Sequence, residues 1–206
     1  HGYFASWFGV FRAFIDAGKL LHLGVGGLFR RPDREKEQKD RLVTFSSNGV
    51  TGLSVPSVLD IEINNVKHTF QWNLEALYLS RRFFLQGEYL NMNVQRAQAA
   101  CYRPWGAYIQ GGFLIKGNFF NYDEWDALPL TPKESKSLLL SGRINVTNLN
   151  DGPVKGGMQQ DITVGLNYYM NKFLILKLNG SVVWTKDMEE VKRSFGVLQA
   201  RLQVRF

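Results

Sequence analysis

The chain has 206 residues, with 25 Lys+Arg against 18 Asp+Glu, a formal net charge of +7, 45% hydrophobic and 21% charged residues. That balance excludes a disordered tail, and apolar runs such as Leu138–Leu140 and Phe173–Leu176 fall far short of the ~20 apolar residues that a membrane-crossing helix needs. Aromatic residues at 14% and 20 Gly against 6 Pro suit β-strands joined by turns.

In chain order, segments of about ten residues set apolar side chains against polar or small ones, the period of a strand whose two faces meet different surroundings. Tyr3–Phe14 carries Tyr3, Trp7 and Phe11 on one face and only weak polarity on the other. Lys19–Phe29 sets Leu21, Leu23, Val25 and Phe29 against His22, Gly24 and Gly26. After the polar stretch Arg30–Lys67, whose Arg31–Asp40 part mixes both charge signs and reads as a solvated loop, His68–Leu79 sets Phe70, Trp72, Leu74 and Tyr78 against Gln71, Asn73 and Glu75. Phe84–Val94 opposes Leu85 and Tyr89 to Gln86 and Glu88. Trp105–Ile115 opposes Ala107, Ile109 and Phe113 to Tyr108 and Gln110. In Ser137–Thr147, Leu138, Leu140, Ile144 and Val146 face away from Ser141, Arg143 and Asn145. Asp161–Met170, Phe173–Val183 and Ser194–Phe206 repeat the pattern. In the last, Leu198, Ala200, Leu202, Val204 and Phe206 oppose Gln199, Arg201, Gln203 and Arg205.

A soluble sandwich also alternates, so the ends of the apolar faces decide the solvent. They finish in aromatics (Trp72, Tyr78, Tyr168, Trp184, Phe206), and an aliphatic band between aromatic girdles is what a lipid-facing barrel wall needs. Connections alternate too. Leu79–Phe83 and Met170–Phe173 are tight, whereas Arg30–Lys67, Gln95–Arg103, Leu149–Gly157 and Trp184–Arg193 are long and polar, as on the two rims of an outer-membrane barrel. Lys116–Lys136 is long on the short-turn rim and reads as a small plug or rim element. The expectation is an all-β, antiparallel transmembrane barrel forming a single domain over residues 1–206, with Trp72, Tyr168, Trp184 and Phe206 at the membrane interfaces.

If the apolar faces meet lipid, Arg143, Lys177, Arg201 and Arg205 point into the lumen. Fixed cations in a confined pore attract anions and replace part of their hydration, and the guanidinium fork suits phosphate. The competing reading pairs these cations with Glu75, Glu88 or Asp161 on nearby strands. Enzymatic readings find little. His1, His22 and His68 lack metal-ligand spacing, and Gly24–Gly27 is not followed by a helical pattern. Asp123, Glu124 and Asp126 read as an exposed acidic turn, and no nucleophile motif is present. No catalytic residue, metal site or cofactor is expected, and no nucleic-acid partner. The single Cys101 excludes a disulfide framework. The chain opens on His1 without a signal-like segment, which predicts a processed or truncated product.

From about Gly18 onward the chain resembles a known family. The runs Phe84–Tyr89, Ser141–Thr147, Thr163–Tyr169 and Leu198–Phe206, preceded by Leu20–Gly24, are similar in order and spacing to strands of the phosphate-selective porin O/P family. The resemblance implies a sixteen-stranded barrel, trimeric, that passes small anions across the outer membrane of a Gram-negative bacterium. Such a barrel takes roughly 400 residues, so the chain reads as its C-terminal half. The terminal Phe206 resembles the signal read by the barrel-assembly machinery. The family's arginine ladder and lysine cluster, on a constriction loop and earlier strands, have no counterpart here. The alternative is a narrow eight-stranded structural or adhesive barrel without conductance. A soluble ligand-binding barrel is the third reading, distinguished by extraction without detergent.

Overall fold

The computed structural model describes residues 2–16, 19–34, 40–47, 50, 59–118, 120–123, 128–132 and 134–204. Among these there are strands and no helix. Nine strands form one antiparallel sheet, in the order β1 (Tyr3–Asp16), β2 (Lys19–Arg31), β5 (Val66–Leu79), β6 (Phe83–Arg96), β7 (Trp105–Lys116), β10 (Ser137–Asp151), β11 (Val154–Tyr169), β12 (Leu174–Lys186) and β13 (Lys192–Val204). The sheet is open, with β1 and β13 at its edges. Two hairpins lie outside it: β3 (Val43–Ser47) with β4 (Leu59–Ile63), and β8 (Phe120–Asp123) with β9 (Leu128–Pro132).

The nine sheet strands are the nine alternating segments of the sequence, and the register shows what alternation accomplishes. One cross-strand row runs Phe11, Leu23, Ala76, Gly87, Ile109, Ile144, Ile162, Val182, Gly196. One residue earlier or later on each strand, the neighbouring row runs Arg12, His22, Leu77, Gln86, Gln110, Arg143, Thr163, Ser181, Val197. Directly paired residues share a face, so the first row lies wholly on one face and the second on the other. The first is bare: Ile109, Ile144 and Ile162 are 48%, 50% and 43% exposed. The second face is covered in part, where the two hairpins reach it: His22 and Asp161, on that face, are buried, while Arg12 and Arg143 are exposed.

Two of the long connections, Arg30–Lys67 and Lys116–Lys136, hold hairpins. The polar stretch Arg30–Lys67 contains β3–β4, whose Ile63 packs with Val66, Val94 and Tyr102 as a buried cluster. The Tyr102 hydroxyl donates to the Leu149 carbonyl at 2.8 Å. Burial, reinforced by Asp151, pushes that hydroxyl's pKa up, so it remains a donor. The expectation of a long loop over Leu149–Gly157 is overturned. β10 and β11 continue to Asp151 and Val154, joined at Gly152, whose φ of 56° suits glycine. The added length is polar, yet ladder hydrogen bonds and contact with β4 hold it: a Cβ on Gly156 would lie 3.2 Å from Ile61 and 2.6 Å from the Leu149 carbonyl oxygen. Arg205 and Phe206 lie outside the described residues.

In a bilayer the two rows should respond oppositely to charge. Ile144→Arg is expected to cost about 2–4 kcal/mol near the midplane, whereas Thr163→Arg on the covered row should cost far less. Urea titration of vesicle-folded protein checks this, and equal losses would contradict the assignment of faces.

Candidate functional site: the polar face and its covering hairpins

Alternation puts most amides, the carboxylates Glu75, Glu88 and Asp161, and most cations of the sheet on its covered face, where the two hairpins meet them. Asp161 is 3% exposed, and a carboxylate so placed must be satisfied. Asn145 Nδ2 donates to Asp161 Oδ2 at 3.0 Å and Gln159 Nε2 at 3.1 Å. Gln159 Oε1 in turn accepts from the Ser47 hydroxyl of β3 at 2.7 Å. At mid-strand, Gln199 of β13 donates to the Val50 carbonyl at 3.2 Å. The segment of the first hairpin is therefore tied by hydrogen bonds to two distant strands, once near the end of the sheet where the longer connections gather and once at mid-height.

The second hairpin crosses the same face at the opposite, short-turn end. Phe120 meets Phe84 edge-on, with ring centroids 5.4 Å apart. The Tyr122 hydroxyl is 3.0 Å from His22 Nδ1, and His22 Nε2 is 2.8 Å from Glu75 Oε1. A carboxylate only accepts, so Nε2 carries the proton and, in the neutral ring, Nδ1 accepts from Tyr122. Gly24 makes this possible: a Cβ there would come within 2.5 Å of the Glu75 side chain. The expectation of a plug or rim element at Lys116–Lys136 is met in form by this hairpin. Asp123 lies at the end of β8, while Glu124 and Asp126 lie outside the described residues. His22, read from sequence as a solitary structural residue, is instead the hairpin's anchor. Its partners are 53 and 100 residues away, and no local signal could have shown them.

The cations predicted from sequence fall on the covered face. Arg143 is exposed there, its guanidinium carbon 3.9 Å above the centre of the Tyr108 ring and Nη1 3.4 Å from Gln110 Oε1. Lys177 and Arg201 stand directly opposite each other in the β12–β13 ladder, an arrangement of like charges that lowers stability. The expected competitors are otherwise engaged. Glu75 binds His22, Glu88 accepts from Asn73 at 3.2 Å, and Asp161 is held by amides. Neither Arg143 nor Arg201 forms an ion pair with a described residue. Among the described residues no group of His, Cys, Asp and Glu could hold a metal ion.

On the bare face, Trp72, Tyr89 and Trp105 form a continuous aromatic row, with ring centroids 5.4 and 6.0 Å apart. It runs toward the rim of the longer connections, as does Trp184. Tyr168 sits at the other end, beside the short turn after β11. The sequence reading named Trp72, Tyr168 and Trp184; it missed the stacking of Tyr89 and Trp105, which needs the register of three strands.

An apolar bare face between aromatic rims, opposite a polar face on which Arg143 and Arg201 form no ion pair with a described residue, is barrel-wall chemistry, and comparison with known families agrees. A family model described as phosphate-selective porin O and P matches residues 5–206. The chain belongs to this family. It is a family of channels rather than enzymes, and the match covers β1 from Ala5 onward, the other eight sheet strands and both hairpins. Curated protein sequences give no significant match.

The Tyr122–His22 contact generates a prediction. Tyr122→Phe removes one hydrogen bond worth about 1 kcal/mol, which raises the opened population of the β8–β9 hairpin about fivefold. Limited proteolysis within residues 117–136 should accelerate accordingly, with the circular-dichroism spectrum of the sheet unchanged. An unchanged cleavage rate would show that the bond does not hold the hairpin.

Proposed function

We propose that the chain forms the C-terminal part of a sixteen-stranded porin of the Gram-negative outer membrane, which passes small anions, phosphate among them, by passive diffusion. In this reading the bare face meets lipid, with Trp72, Tyr168, Trp184 and Phe206 at its interfaces. The covered face lines water. Arg143, Lys177, Arg201 and Arg205 draw anions in and replace part of their hydration, the arginine forks suiting phosphate oxygens. The observation that carries the reading is that Glu75, Glu88 and Asp161 are held by a histidine and by amides, and that Arg143 and Arg201 form no ion pair with a described residue.

The open sheet supports a barrel larger than this one sheet. Backbone groups at a strand edge cannot be left unsatisfied in lipid. Nine successive antiparallel strands leave β1 and β13 running in the same direction, so antiparallel closure requires further strands between them. That favours the larger barrel over the eight-stranded, non-conducting alternative. Residues 1–206 would then be one piece of a single barrel domain, trimeric as the family resemblance implies and inserted by the barrel-assembly machinery. The hairpins would narrow the passage, β3–β4 from the long-connection side and β8–β9 from the short-turn side.

Reversal potential across a planar bilayer under a KCl gradient tests this. Stepwise conductance with chloride preference is expected, with phosphate competing for the chloride current. Charge interactions at contact are worth about 1 kcal/mol even in water, so Arg143→Glu should lower the anion-to-cation permeability ratio by about fivefold or more. Cation preference in the unmodified protein would overturn the anion reading, and absence of conductance from inserted protein would overturn the porin reading.

A further inference from the structure

A cavity of about 330 Å³ opens where β11, β12 and β13 approach the long-connection rim. Its apolar side is Met158 and Trp184, and its polar side includes Lys186, Lys192 and Arg193. By register, Met158, Lys186 and Lys192 are direct neighbours on the bare face, one step beyond Gln160, Trp184 and Ser194. Most of the cavity's lining is thus on the bare face, while Thr185 and Arg193, which also line it, pair on the covered one. The cavity lies at the outer border of the bare face, directly above exposed Val182 and Leu198.

We infer that this cavity binds the phosphate-bearing headgroup of an anionic membrane lipid, whose acyl chains run down the bare face below it. The inference rests on the membrane-barrel reading of that face. Charge complementarity selects the occupant. Two lysines that face each other across the β12–β13 ladder, Lys186 and Lys192, line one small concavity together with an indole and a thioether, an arrangement suited to a group that is anionic at one end and apolar at the other. The carboxylates nearby do not close the site. Lys186 pairs with Glu190 at 3.0 Å and Arg193 with Asp187 at 3.5 Å; both are surface pairs of the weak kind that exchange readily for phosphate. Lys192 makes no ion pair with a described residue. The position relative to the rim fixes the leaflet. Long connections of such barrels face the cell exterior, so the site addresses the outer leaflet. A strand added at the free edge of β13 would pair with its backbone and leave the side chains of this cavity uncovered.

The test is native mass spectrometry of the detergent-purified protein with lipid A, a bisphosphorylated glycolipid, as the probe. Retention of lipid A, with phosphatidylcholine not retained, is expected. Lys186→Ala combined with Lys192→Ala, both on the bare face, should weaken retention at least about tenfold while reversal potential in planar bilayers stays unchanged. Equal retention by the variant would overturn the assignment. Displacement of lipid A by millimolar inorganic phosphate would show a free-phosphate site instead. A change of oligomeric state in the variant, with lipid binding unaltered, would reassign the cavity to contact between copies. Conductance of the same preparation separates the two claims: a conducting protein that ignores lipid A refutes the lipid site alone, and a protein soluble without detergent refutes the membrane reading beneath it.

Discussion

Successive side chains of a β-strand point to opposite sides, and when nine strands are hydrogen-bonded in register that local geometry becomes a property of whole rows. The row through Ile109, Ile144, Ile162 and Val182 is apolar from end to end, and its neighbour through Gln86, Gln110, Arg143, Thr163 and Ser181 is polar across the same strands. A slip of one residue in any ladder would put an arginine among the isoleucines and a leucine among the amides. The register is therefore what the rest of the molecule depends on. It gathers the amides that satisfy Asp161, sets Glu75 beside His22, and leaves Arg143 and Arg201 facing outward from a polar wall.

The hairpins convert that wall into a shaped surface. Each is held by a few directed interactions rather than by a large core: Ser47 to Gln159 and the Tyr102 cluster for one, Tyr122 to His22 and Phe120 against Phe84 for the other. The anchoring has an electrostatic consequence. Carboxylates that could neutralise the cations are engaged with His22, Asn73, Asn145 and Gln159. Charge pairing on this face is thus decided by hydrogen-bond geometry and not by the tally of acidic and basic residues.

How much of this could be read from sequence follows from the range of each interaction. Strands such as Ser137–Thr147 and Phe173–Val183 were legible because their alternation is strict, and parity alone placed Arg143, Lys177 and Arg201 on the face opposite the leucines. The polar beginning of β11, residues 154–160, was illegible because alternation fades where the ladder rises past the apolar band; only its pairing with β10 and its contact with β4 make it a strand. The hairpins were hidden more deeply. Their anchors join residues 112 apart, as in Ser47–Gln159, or 100 apart, as in His22–Tyr122. The competition between cations and carboxylates was visible as a question, but its resolution, with Arg143 over the Tyr108 ring, depends on side-chain geometry.

The central claim is that one face of this sheet meets water and the other meets lipid, and thiol labelling of adjacent residues tests it most directly. With Cys101 replaced by Ser, single cysteines at Arg143 and Ile144, and at Arg201 and Leu202, sit one residue apart at exposed positions on opposite faces. In vesicles, a charged, membrane-impermeant thiol reagent should modify positions 143 and 201 rapidly and leave 144 and 202 essentially unreacted. Equal modification at 143 and 144, or at 201 and 202, would contradict the account.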